Sequence, residues 1–222
     1  MNKLLRTAFI LSLITIFYNI IEGVVSVYFG SEDETLALIG FGVDSFVEVI
    51  SGIGIAHMIL RMRYSKVVTQ DKFEKTALRI TGTAFYLLML GLIAGSVLNI
   101  ISGAKPETTV VGIVISIISI FTMYWLMTVK LKIGKALNSD AIIADANCTK
   151  TCFYLSFILL GASGLYELFH IGYFDIIGSL GIAYFAFSEG REAFEKVRSG
   201  NLACCYDDNC ENEVINNYMD KG

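Results

Sequence analysis

Charge is scarce in this sequence: Asp, Glu, Lys and Arg make up 17% of its 222 residues, against about 25% in a water-soluble domain. Proline and tryptophan occur once each and histidine twice. Lys and Arg together number 17 against 21 Asp and Glu, so the basic excess that holds nucleic acid is missing. The 20 glycines are not periodic, which excludes a collagen-like chain, and long apolar runs exclude disorder and a small disulfide scaffold. What is abundant is hydrocarbon. Hydrophobic residues reach 55% and the mean hydropathy is positive, the composition of an integral membrane protein.

A helix needs about 20 mostly apolar residues to cross a bilayer. Six runs qualify: Thr7–Gly30, Thr35–Leu60, Ala77–Gly103, Thr109–Val129, Ala141–Leu165 and Tyr173–Ala193. They are continuous and do not alternate with period two, so helices are expected and barrel strands are not. Helices also satisfy their own backbone in lipid. The expected fold is all-α, a multi-pass bundle of six transmembrane helices over 1–198, followed by a short tail, 199–222. Nearly every Lys and Arg falls on the side of the N-terminus, Lys105 being the exception in an outer loop, whereas Ser31-Glu32-Asp33-Glu34 on the other side is acidic. That asymmetry predicts both termini in the cytoplasm. The opening Met1-Asn2-Lys3-Leu4-Leu5-Arg6 resembles a signal peptide, but the run that follows is long and carries Glu22, so it is read as a span.

Ionisable residues at membrane depth are costly and mark sites or pathways. Asp44 and Glu48 in the second run are four apart, hence on one helical face. The two like charges repel, and they require protons or a cation between them; a protonated packing pair is the alternative. In the fifth run Cys148 and Cys152 repeat that spacing, with Asp145 three residues before Cys148 on the same face. Taken alone, two such cysteines are small apolar fillers. Taken with the acids, they complete four donors for a tetrahedral divalent ion. Asn19 and Glu22 share a face of the first run and read either as an access or proton path, together with Asp145, or as an interhelical hydrogen bond. His57 reads as a packed residue. Glu167 and His170 fall toward the outer loop, and Glu189 with Arg191 and Glu192 reads as a snorkelling interfacial cluster.

Asp44-x-x-x-Glu48 on the second span and Cys148-x-x-x-Cys152 on the fifth resemble the layout of the cation diffusion facilitator family. The similarity runs from about Asn19 to Val197, and Phe41-Gly42-Val43-Asp44-Ser45-Phe46-Val47-Glu48 matches the second-helix pattern. The resemblance implies six helices, a homodimer, and export of a divalent metal from the cytoplasm in exchange for protons, across a bacterial or archaeal inner membrane. It implies no prosthetic group and no enzyme activity. Two departures stand out: cysteines occupy positions where the family has His or Asp, and the family's cytoplasmic ferredoxin-like domain has no counterpart here. Thiolates favour softer ions, so Zn²⁺ leads, followed by Cd²⁺ or a related transition metal.

The tail segment Cys204-Cys205-Tyr206-Asp207-Asp208-Asn209-Cys210 is a second candidate metal site through Cys204, Cys205, Asp207, Asp208 and Cys210. It matches no closed zinc-finger spacing, and plain free thiols are the alternative. On the topology above all five cysteines face a reducing compartment, where disulfides are disfavoured. A metal-binding membrane sensor or scaffold that moves no ion is the competing functional reading. A membrane hydrolase is disfavoured because His-Glu-x-x-His is missing.

Overall fold

The structure, a computed structural model, describes residues 3–33, 35–64, 72–103, 106, 109–137 and 140–199. These form six helices: α1 Lys3–Glu32, α2 Leu36–Tyr64, α3 Lys72–Ser102, α4 Val110–Leu137, α5 Asp140–Phe169 and α6 Tyr173–Ser199. No strand occurs among the described residues. The one proline, Pro106, lies between α3 and α4, so no helix interior loses an amide donor to it. Gly103 ends α3 with φ 68°, and its N–H reaches Asn99 O at 2.9 Å, the left-handed stop that glycine adopts without strain.

Five helices are long and apolar enough to cross a membrane: Leu4–Glu32, Leu36–Arg61, Leu78–Ser102, Val110–Leu137 and Thr149–Phe169. The sixth expected run forms a helix, yet it is not among these five. Asp175 stands near its start, and Glu189, Arg191, Glu192, Glu195, Lys196 and Arg198 fill its second half, leaving a short apolar stretch between. The fourth run also extends further than expected. α4 continues to Leu137, so Lys130, expected beyond the span, is a buried helical residue whose Nζ donates to Thr149 Oγ1 at 3.0 Å.

α1 packs on α2, α4 on α5 and α3 on α6, while α2 also meets α3, α5 and α6. α2 is therefore the central helix, and the acids it carries face protein. Its Ala37, Leu38, Phe41 and Val47 join Phe85, Leu88, Leu155 and Ile182 in one core. A second core gathers Leu11, Ile59, Met123, Leu126 and Cys152. The close crossing of α1 and α2 depends on Gly42: a Cβ there would stand 2.8 Å from Ser26 Cβ and 2.9 Å from the Val27 amide nitrogen. On the outside, Ile21, Leu87, Leu98, Ile101, Phe121 and Leu168 are 64–77% exposed. So much apolar surface is abnormal in water and is compatible with an integral membrane protein.

The end of the bundle where α1 leads into α2 is held together by caps. Asp175, on α6, accepts from the amides of Leu36 at 3.0 Å and Ala37 at 3.1 Å. These are orphan donors at the positive end of α2, which a carboxylate suits. At the start of α4, Glu167 of α5 accepts from the Thr109 amide at 3.2 Å, and the Thr109 hydroxyl reaches Ser163 O at 2.8 Å. Tyr166 donates to the Pro106 carbonyl.

Candidate metal centre

Glu48 is the hub of the polar interior. Asn19 of α1 donates through Nδ2 to Glu48 Oε2 at 2.9 Å, and Cys152 of α5 donates to the other oxygen, Oε1. Three helices thus meet at one carboxylate. The expected face-sharing of Asp44 and Glu48 places Asp44 one turn earlier on α2, where it is 3% exposed. It feels the charges of Glu48, Glu189 and Glu22. Burying several carboxylates together is costly unless protons or a cation compensate them.

Glu22 lies on the far side of this group. It accepts from Tyr18 Oη at 2.9 Å and Ser45 Oγ at 3.1 Å, and Ser119 of α4 stands near it. The hydroxyls continue inward, because Ser156 Oγ is 2.8 Å from both Ser119 Oγ and the Cys152 carbonyl. Serine hydroxyls therefore line the space between Glu22 and the backbone of the cysteine that holds Glu48. The i, i+3 relation of Asn19 and Glu22 does not make them partners: Asn19 bonds Glu48, and Glu22 bonds hydroxyls.

Of the sequence-derived ligands, the structure brings Glu48 and Cys152 into contact, with Asp44 a turn away. Cys148 and Asp145 lie on α5, but their side chains fall outside the described residues, as does the whole tail with Cys204, Cys205, Asp207, Asp208 and Cys210. Among the described residues, no three His, Cys, Asp or Glu side chains are grouped so as to hold a metal ion.

A cleft adjoins Glu48 toward the end of the bundle that carries the α1 N-terminus. Its walls include Thr15, Asn19, Thr81, Thr149, Glu189 and Lys196. Glu189, expected in an interfacial cluster, is half-buried in the cleft lining, accepts from Thr151 Oγ1 at 2.9 Å and has Lys196 as the compensating charge nearby. The signal was present in the spacing. Ile182, Ala186, Glu189, Ala193 and Lys196 recur at four and three residues, one stripe of a helix. Because charges crowd that half of α6, its register is easily taken for a solvated surface. His57 is partly buried on α2 and is not among the cleft-lining residues.

Comparison with protein-family models finds no match for this chain, and comparison with curated proteins finds none either.

Proposed function

We propose that the chain is a six-span divalent-cation transporter with both termini in the cytoplasm, exporting Zn²⁺ or a related soft cation, such as Cd²⁺, in exchange for protons. The observation that supports this most is the convergence of Asn19, Glu48 and Cys152 from three helices beside buried Asp44. An apolar bundle has no packing need for two acids and a thiol at its centre, where each polar group costs free energy unless it is used. In this reading Asp44, Glu48 and Cys152, with Cys148 one turn before on α5, form the cargo site. Carboxylates and thiols shed protons on taking up a metal ion and regain them on releasing it. Glu22, with its serine and tyrosine hydroxyls, supplies a route for those protons that does not pass through the cleft. The similarity of the Asp44-x-x-x-Glu48 and Cys148-x-x-x-Cys152 spacing to cation diffusion facilitators supports the same class, and with it a homodimer.

The sensor or scaffold reading draws on one observation: the Glu48 carboxylate already has a donor on each oxygen, as a static packing pair would. Transport separates the two. Reconstituted in vesicles with a trapped metal-sensitive dye, wild type is expected to take up Zn²⁺ and Cd²⁺, and Asp44→Ala to lose about 100-fold or more of that rate, the loss expected when a ligand is removed from a small site. Equal uptake by both proteins would remove Asp44 from the site. Binding without uptake by wild type would establish the sensor.

A further inference from the structure

We infer that the cleft beside Glu48 is a second cation station with an all-oxygen shell, formed by Glu189, Glu48, Asn19 and Thr81. The inference rests on the transport reading for its role, but it stands on its own geometry. Asn19 is 1% exposed, and its Nδ2 is committed to Glu48 Oε2. With Glu48 ionised, as a cation-holding site requires, its oxygen only accepts, so Nδ2 is the tip that faces it and Oδ1 is the other. That oxygen is buried and has no hydrogen-bond partner. Thr81 on α3 repeats the pattern: the residue is 3% exposed, and its Oγ1 is buried without a partner. Both residues line the same cleft as Glu48 and Glu189.

A buried polar atom left unpaired costs about 1–3 kcal/mol, and two such residues in the lining of one cleft, from α1 and α3, are unusual in a folded chain. A cation satisfies both at once. Asn19 Oδ1 and Thr81 Oγ1 are neutral oxygen donors, and Glu48 and Glu189 supply the charge. Lys196, already held to Glu192 at 2.8 Å, lies at the same wall and keeps Glu189 from being wholly uncompensated while no ion is bound. The set contains no sulfur. It therefore suits harder ions or a partly hydrated one, whereas the group around Cys152 suits softer ions. Glu48 belongs to both, so an ion passing from the station to the inner site exchanges oxygen ligands for a thiolate without leaving that carboxylate.

The two sites are separable with two probes on the purified full chain in detergent, with Cys204→Ser, Cys205→Ser and Cys210→Ser in every sample so that tail thiols give no absorption of their own. Mn²⁺ alone is followed by the paramagnetic signal of the free ion, and Cd²⁺ alone by its thiolate charge-transfer absorption. Wild type is expected to bind Mn²⁺. Glu189→Gln should weaken Mn²⁺ binding about tenfold, since ligand charge count sets affinity for hard cations, and leave the Cd²⁺–thiolate absorption intact. Cys152→Ser should do the reverse. Thr81→Val removes only the orphan hydroxyl and should weaken Mn²⁺ binding about threefold, which keeps the test decisive if Glu189→Gln folds poorly. Wild-type failure to bind Mn²⁺, or Mn²⁺ affinity unmoved in both Glu189→Gln and Thr81→Val, would overturn the station. Loss of the Cd²⁺ absorption in wild type would instead count against the transport site and leave the Mn²⁺ result to decide this inference.

Discussion

At one end of the bundle carboxylates and a hydroxyl cap the backbone of neighbouring helices; at the other, side chains from several helices line the cleft beside Glu48. Asp175 holds the first amides of α2, and Glu167 and Thr109 tie α5 to α4 at the capped end. At the cleft, Asn19 Oδ1 and Thr81 Oγ1 are buried and unspent. Caps between helices fix distances, because a helix end has amides and carbonyls that must find partners. Unspent donors and acceptors fix nothing, and they await an ion or water.

The largest effect is expected from Asp175→Ala, which strands two amides of α2. At about 1–2 kcal/mol for each buried donor left unsatisfied, the loss is about 2–4 kcal/mol in reversible unfolding. It should be accompanied by faster hydrogen exchange at Leu36 and Ala37; unchanged protection there would mean that the caps do not close this end. Next is Gly42→Val, which forces α1 off α2 because the close approach to Ser26 and Val27 leaves no room for a side chain. Overpacking of this kind costs about 1–3 kcal/mol. It should also lower uptake, since Asn19 travels with α1; a variant of wild-type stability would show that the crossing is not tight. Thr109→Val removes the hydroxyl but keeps the amide bond to Glu167, for a smaller loss of about 1 kcal/mol. Thermal unfolding in detergent ranks the three, and any other order would break the contrast between the ends.

Five helices are readable because each is one long apolar run, and Asp44 and Glu48 stand out because acids are anomalous in such a run. Their shared face follows from helical period alone. The partners were not readable in the same manner. α1 is apolar almost all the way round, so periodicity does not say which face is buried; only the polarity of Asn19 and Glu22 singled them out, and their separate partners on α2, Glu48 and Ser45, required coordinates. Nothing in the sequence marks Asp175 as a cap, since the amides it holds lie 138 and 139 residues away. α6 was the hardest to read. A stripe of buried positions and a band of surface charge overlap in its second half, and Glu189 belongs to the stripe while Arg191 and Glu195 belong to the band.

That overlap yields the smallest expected effect and a direct check on where the cleft wall stops. α6 carries two ion pairs of the same i, i+4 spacing. Arg191–Glu195 at 2.8 Å has side chains 69% and 61% exposed, while Lys196–Glu192, also 2.8 Å, has 11% and 24%. Water and salt screen the first, and exposed pairs of this kind often contribute nothing measurable. Arg191→Ala should therefore leave the unfolding midpoint and Mn²⁺ binding at wild-type values at any ionic strength. Lys196→Met should tighten Mn²⁺ binding by about threefold, since it removes a cation that competes for Glu189 across a partly desolvated wall. If the two substitutions behave alike, Lys196 belongs with the surface band, and the cleft ends nearer to Glu189.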